Sequence, residues 1–385
     1  MPLLLLLLGL LCALYIPSHA GVITTVAGRK HVGFGGAATD AMLNEPAAVA
    51  LLANGTHPSQ PASILFTDGL LGMIGRIDAS GALQPVAGAG ARLLSPFGLS
   101  VVHDADGAGG FYIFVATVTG HAVRRITHTG SVHTVAGTGS PGFNGDGGNA
   151  EAALLHNPFS VAAFKNVSGG DVVLYISDHS NDRVRRVDGA GVISTVAGTG
   201  GSGSGGDGGP AVAAQLDHPC GLAVLYNVRG RGEVEVYIAD RDNHKIRRID
   251  EAGNITTVAG NGNNAAATAS GVLATSTTLH APYDVAAVYN ASSSGVVLYI
   301  ADTSHNLIRR VNEVGIMFTI AGVPGFAGYT GDGLAATLAQ LLAPTGVTAV
   351  YNASGQHEVE VYIADRGNRC IRHIGTDGII RLVAG

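Results

Sequence analysis

The chain has 385 residues, of which 57 are Gly and 13% are charged, with a net charge of −6. Its aliphatic content excludes a disordered chain, the lack of a three-residue glycine period excludes collagen, and the negative balance argues against a nucleic-acid partner. Glycine scattered between short Val/Ile-rich runs points instead to many tight turns joining short strands.

Residues 1–20, MPLLLLLLGLLCALYIPSHA, carry an apolar run from Leu3 to Tyr15, then Pro17 and the small residues Ser18 and Ala20. This pattern is expected of a secretory signal peptide, with a short membrane anchor as the alternative. No other segment approaches a membrane span, so the mature protein is expected to be secreted and extracellular. Cys12 leaves with the signal, and Cys220 and Cys370, two repeat units apart, are expected to be free buried thiols.

From residue 21 onward the chain repeats itself. A word of the form TVAG ends at Gly28, Gly88, Gly137, Gly198, Gly260, Gly322 and Gly385, with spacings of 60, 49, 61, 62, 62 and 63 residues. These anchors bound units at 29–88, 89–137, 138–198, 199–260, 261–322 and 323–385, and so regular a period means a solenoid or a propeller. The fourth unit shows the grammar: PCGLAVLY from Pro219, EVEVYIAD to Asp240, HKIRRID to Asp250 and NITTVAG to Gly260. Each run is short, β-branched and bounded by Gly, Asn or Asp, as strands are. Four strands per unit and six apolar units without polar end caps predict an all-β, six-bladed β-propeller of four-stranded antiparallel blades. GVITTVAG (21–28) is a spare fourth strand, expected to close the ring at the N-terminus and cover a sheet edge.

The connections between units carry the glycine-rich motifs. GTGSPGFNGDGG (137–148) contains G-x-G-x-x-G, but no long helix follows it, so the dinucleotide reading fails. Asp146, Asp207 and Asp332 each sit in a lone G-D-G, too few carboxylates for a calcium loop and expected to act as turn caps. An Ala/Leu segment such as NAEAALLHNP predicts one helical turn before each first-strand proline. Asp240 and Asn243, three residues apart at the end of a second strand, recur as a ring of turn residues that a ligand could exploit. Arg124–Arg125, Arg185–Arg186, Arg247–Arg248 and Arg309–Arg310, with Arg76 and Arg372 singly, are expected to pair with that Asp row across blade boundaries. His156, His218 and His280 precede first-strand prolines of three consecutive units, where three imidazoles could hold a zinc ion with an open position. The simpler reading makes them polar loop residues with no metal and no cofactor.

The words YISDHSNDRVRRVD, YIADRDNHKIRRID and YIADRGNRCIRHI, with GDGGPAxxAxLxxPxG, resemble NHL repeats of the six-bladed TolB-like propeller superfamily across 21–385. The resemblance implies the propeller strongly and a function weakly, since relatives include extracellular sensor and adhesion modules, RNA-binding modules and a peptide-amidating lyase. That lyase carries zinc histidines directly after such prolines. Here those places hold Ala47, Phe97, Phe159, Cys220, Tyr283 and Thr345, so its ligand pattern is absent.

Propeller geometry sorts the turns by face. The sequons at Asn54, Asn166, Asn290 and Asn352 fall in first-to-second turns and Asn254 in a third-to-fourth turn, so all five map to one face. The opposite face, with its blade-to-blade loops, is the expected recognition surface. The sequence therefore predicts a secreted, glycosylated binding module for an extracellular protein or small ligand. One alternative is a metal-dependent lyase or hydrolase at the channel mouth using His156, His218, His280 and Asp284. The other is a structural domain of a longer extracellular protein.

Overall fold

The computed structural model describes residues 33–54, 57–86, 93–103, 110–166, 170–267, 270–351 and 359–385. They form six antiparallel sheets, five of four strands and one of five, each ordered as in the chain apart from one short added edge strand. Blade 1 holds β1 (Pro46–Asn54), β2 (His57–Asp68), β3 (Met73–Asp78) and β4 (Leu83–Pro85); blade 2 holds β5 (Pro96–His103), β6 (Phe111–Thr117), β7 (Ala122–Thr127) and β8 (Val132–Ala136). Blade 3 is β9 (Pro158–Lys165), β10 (Val172–Asp178), β11 (Arg183–Val187) and β12 (Ile193–Ala197), and blade 4 is β13 (Pro219–Tyr226), β14 (Val234–Asp240), β15 (Lys245–Ile249) and β16 (Ile255–Ala259). Blade 5 adds a two-residue edge, β17 (Val272–Leu273), to β18 (Pro282–Asn290), β19 (Gly295–Asp302), β20 (Leu307–Val311) and β21 (Ile316–Ala321). Blade 6 is β22 (Gly346–Tyr351), β23 (Val359–Asp365), β24 (Cys370–Ile374) and β25 (Ile380–Ala384). The sequence expectation of six four-stranded blades is met. Among the described residues no helix is long and apolar enough to cross a membrane.

Each blade is stabilised mainly by its neighbour. Second strands are apolar on both faces, as in Val236, Tyr237, Ile238 and Ala239 of β14, all buried, because each face packs on an adjoining sheet. Between blades 2 and 3 the core joins Val102, Phe114 and Ala136 to Val161, Leu174 and Ile193. Equivalent clusters fill the other five boundaries.

The long loops between blades are wedges in these boundaries. Gly137 donates to Ala150 O and Thr138 to Ala153 O, while Gly147 donates to Ile193 O and Ala150 to Gly191 O. One loop is thereby stitched to the end of one blade and to the outer strand of the next. The expected helical turn is a 3-10 turn, Ala150–Ala152, and its neighbours Ala153 and Leu155 are fully buried between the blades. Leu216, Leu279 and Leu341, also three residues before a first-strand proline, repeat that burial. Among the described residues the final glycine of a TVAG word is required here: Gly260 has φ +84°, and a Cβ on it would lie 2.2 Å from His244 O.

The wedge also explains the aspartates of the G-D-G tripeptides, which are not turn caps. Arg185 is fully buried and donates to Asp146 Oδ1 at 2.7 Å and to Asp178 Oδ2 at 3.1 Å, while Thr195 Oγ1 donates to Asp146 Oδ2. Arg247 with Asp207 and Asp240, and Arg372 with Asp332 and Asp365, repeat the arrangement. The pairing of these arginines with the Asp row runs within a blade and not across a boundary; the loop carboxylate is what each gains from outside its own sheet. The second arginine of a pair projects to the other face of the strand: Arg248, one-third exposed, binds Glu235 of its own blade.

Ring closure uses the same device. Gly385 donates to Ala38 O, just as Gly137 does to Ala150 O, and Ala38 donates to Gly81 O. Ala38, Ala41 and Leu43 then pack with Tyr362, Ala364 and Ala384. The outer position of the last blade is held by β25; the closing strand expected at 21–28 and the signal peptide at 1–20 lie outside the described residues.

Candidate functional site

First strands line the axis of the ring, and each of β1, β5, β9, β13 and β18 opens on a proline followed by a register shift. That bulge aims the next side chain at the mouth of the channel. Phe97, Phe159 and Tyr283, from blades 2, 3 and 5, occupy this one repeat position and meet there. Ring centroids are 4.5 Å apart for Phe97 and Phe159, 6.3 Å for Phe97 and Tyr283, and 6.1 Å for Phe159 and Tyr283. His179 stacks on Phe159 at 4.5 Å, and the Arg241 guanidinium lies 4.9 Å from the Tyr283 centroid. Arg366 pairs with Glu45 across the closing boundary at 2.9 Å.

Against these rings lies a cavity of about 320 Å³, walled by all six first strands. Its wall is mostly Val, Leu, Ala and Gly, and among the described residues Asp284 supplies its one carboxyl. Asp284 Oδ1 accepts from Val285 N at 2.9 Å, and Oδ2 accepts from Val347 N of the next blade at 3.0 Å. Gly221 makes room for it, since a Cβ there would sit 2.2 Å from Asp284 Oδ1. Burial pushes the Asp284 carboxyl up to about 7, against the smaller opposing pull of those two backbone donors. Burial likewise pushes the Cys220 and Cys370 thiols up, and both are free and buried, as their positions in the repeat suggested.

The three histidines before first-strand prolines stand at separate blade boundaries. His156 faces His121 at 5.7 Å, His218 faces His179 at 4.7 Å, and His280 faces His244 and His305 at 5.5 Å each. The zinc triad considered from sequence is thus not assembled. Asp182, Asp217 and His218 do bring one potential ligand atom each within 4.8 Å of one another. These groups also serve each other: His218 Nδ1 lies 3.0 Å from Asp217 and 2.9 Å from Asp242, and Asp182 accepts from His218 N. Burial is the main cause that holds the His179 imidazole down to about 3, with His218 and Arg241 adding to it. Asp240 is fully buried and accepts from Asp217 N, Asn243 Nδ2 and Arg247, and Asn243 Nδ2 also reaches Gly203 O. Both side chains are thereby committed to clamping the wedge.

Asn166 and Asn290 lie at first-to-second connections and Asn254 at a third-to-fourth one, the ends of those strands away from the mouth. The Asn54 side chain and Asn352 lie outside the described residues. Sequence reasoning missed the aromatic trio, Asp182, Asp217, His179 and Arg241. The trio was visible in principle, as aromatic residues at one position of the repeat; its convergence depends on the diameter of the ring.

No protein-family model matches the chain. Among curated proteins it is similar to mouse (Mus musculus) Teneurin-4, 29% identical over 248 residues, covering 60% of this chain and 8% of that protein. Teneurin-3 of Danio rerio is 29% identical over 270 residues, covering 63% and 9%. The chain therefore spans less than a tenth of the length of these relatives. Among solved structures, an auxiliary nutrient binding protein from Bacteroides thetaiotaomicron superposes with a TM-score of 0.59 at 17% identity, covering 87% of this chain and 69% of that one. One from Bacteroides ovatus gives 0.58 at 14%, covering 89% and 70%. A gluconolactonase from Xanthomonas campestris gives 0.52 at 11%, covering 89% and 87%. At these identities the likeness establishes the fold.

Proposed function

We propose that this NHL-type propeller is a secreted, glycosylated binding module whose recognition surface is the face carrying the channel mouth. The observation that carries the reading is the convergence of Phe97, Phe159 and Tyr283, with Arg241 on the Tyr283 ring, against a lined cavity. Aromatic rings beside polar groups in a concavity are the usual composition of a ligand site. The sequons at Asn166, Asn254 and Asn290 lie at the other ends of their strands, which leaves the mouth clear of glycans. The name of two structurally similar proteins, auxiliary nutrient binding protein, agrees with a binding role. The test is expression in secretory cells. The protein is expected in the medium, with mobility shifted by N-glycosidase, and ligands retained in a small-molecule and protein array are expected to be lost on Arg241→Glu with Arg366→Glu. Retention unaffected by both changes rejects the mouth.

A second reading, a metal-dependent lyase or hydrolase, is favoured only by the Asp182, Asp217 and His218 cluster. Stoichiometric metal in the purified protein, with chelator-sensitive turnover, would select it over the first.

A further inference from the structure

We propose that the cavity at the aromatic mouth binds a small organic cation, an ammonium or alkylated amine, held between the Asp284 carboxylate and the rings of Phe97, Phe159 and Tyr283. The proposal rests on the mouth being the recognition surface and gives its ligand a chemical class.

Asp284 differs from four of the five aspartates that end second strands. Asp178, Asp240, Asp302 and Asp365 are buried and each has an Arg or His partner. The fifth, Asp68, also has backbone donors and no ion pair among the described residues, but it is fully buried at the end of β2 and is not part of the cavity wall. Among the described residues Asp284 has no ion pair; its partners are two neutral backbone N–H groups, which leave each oxygen a further acceptor direction. The corresponding positions in the other blades are Ala48, Gly98, Ser160, Gly221 and Gly346, so among the described residues a single carboxyl faces the lumen. Bridging to the next blade does not require that charge. Ser160 makes the same bridge in blade 3 with a hydroxyl, accepting from Leu222 N at 3.3 Å. The carboxylate is surplus to the architecture.

A half-buried carboxyl in a cavity wall, without a cation partner, is stabilised by any ligand that brings one. The three rings beside the cavity add cation–π attraction, and Arg241 on Tyr283 uses the same chemistry from within the protein. A volume of about 320 Å³ suits a compact ligand and excludes a polymer. The titratable neighbours are the Tyr283 phenol of the same strand and the Cys220 thiol of the preceding blade, both pushed up and kept neutral by burial. Asp284 itself, pushed up to about 7, must be ionised to hold the cation, so affinity rises with pH.

Calorimetry with choline and its neutral isostere 3,3-dimethylbutan-1-ol tests this. Wild type at pH 8 is expected to bind choline at least ~10-fold more tightly than the isostere, and to lose about tenfold in choline affinity by pH 6. Asp284→Asn is expected to abolish the preference while keeping the isostere. Asp284→Ser, which copies blade 3, provides a second variant that keeps the bridge. Equal affinity for both probes in wild type, or choline binding unchanged in both variants, overturns the cation site. If neither probe binds while Arg241→Glu with Arg366→Glu still abolishes array retention, the cavity proposal falls and the mouth reading stands. Choline binding by a protein indifferent to those two changes gives the converse.

Discussion

Arg247 donates to Asp207 at 2.9 Å across 40 residues of sequence. It is fully buried, and its second carboxylate, Asp240, is as buried as it is. Truncating Arg247 to Ala strands Asp240 beneath the wedge, and breaking a buried pair in this way costs about 3–5 kcal/mol. Arg248→Ala removes one of three donors to Glu235, which keeps Arg229 and the Tyr237 hydroxyl, and should cost about 1 kcal/mol. Urea denaturation of the two variants is the check, and equal costs would reject the division of labour within the pair.

That contact shows where the sequence stops being legible. The TVAG spacing yields six blades because every unit must present the same strands to its neighbours. The partner of Asp207 is invisible in its own loop, so the G-D-G motif reads as a turn. A longer-range signal existed. The loop aspartate precedes the first arginine by 39 or 40 residues in blades 3, 4 and 6. The connection into blade 5, NGNNAAATASG, has no such aspartate, and there Arg309 turns to Thr319. In blade 1 the equivalent place is Gly75, and the Phe66 ring fills the space, which explains why Arg76 stands alone. The channel mouth was less legible, because ring convergence depends on how six sheets close.

The wedge predicts a sharp contrast within a single loop. Leu341 is fully buried and Leu338, three residues earlier, is 65% exposed. Leu341→Ala should destabilise by about 2–5 kcal/mol through lost transfer energy and an unfilled cavity. Leu338→Ala should change stability by less than about 0.5 kcal/mol. Thermal melts of both proteins decide it; similar losses would mean that the loop is not a wedge.

Acid should loosen two of the blade boundaries. His121 Nδ1 accepts from Asn157 N at 3.2 Å and His244 Nδ1 from Ala281 N at 3.1 Å, each across to the next blade. Both imidazoles must be neutral to accept. Burial first, and then the neighbouring His156 or His280, hold them below the ordinary value of 6.5. A depressed folded value means that the contribution is complete above pH 6.5 and is lost as pH falls through the lowered value. Asn306 makes the same bond to Ala343 N without titrating. His121→Asn with His244→Asn should therefore flatten the acid side of the stability profile while leaving stability at pH 8 nearly unchanged. An unaltered acid limb rejects the assignment.

Asp284 predicts the opposite slope. Its folded value of about 7 lies above the 3.8 of an ordinary aspartate, so the folded protein holds this proton more tightly than the unfolded chain. Its contribution is complete below about pH 4 and is lost as pH rises through 7, because ionisation then places an uncompensated charge in the cavity wall. Asp284→Asn keeps one side-chain acceptor for Val285 N or Val347 N and removes the charge. Without ligand, the variant should gain on wild type as pH rises from 5 to 8, read as a difference in urea midpoints across that range. A midpoint difference independent of pH would mean that the carboxyl is ionised throughout. A bound cation should shrink the difference at pH 8, since it compensates the charge whose burial sets the slope.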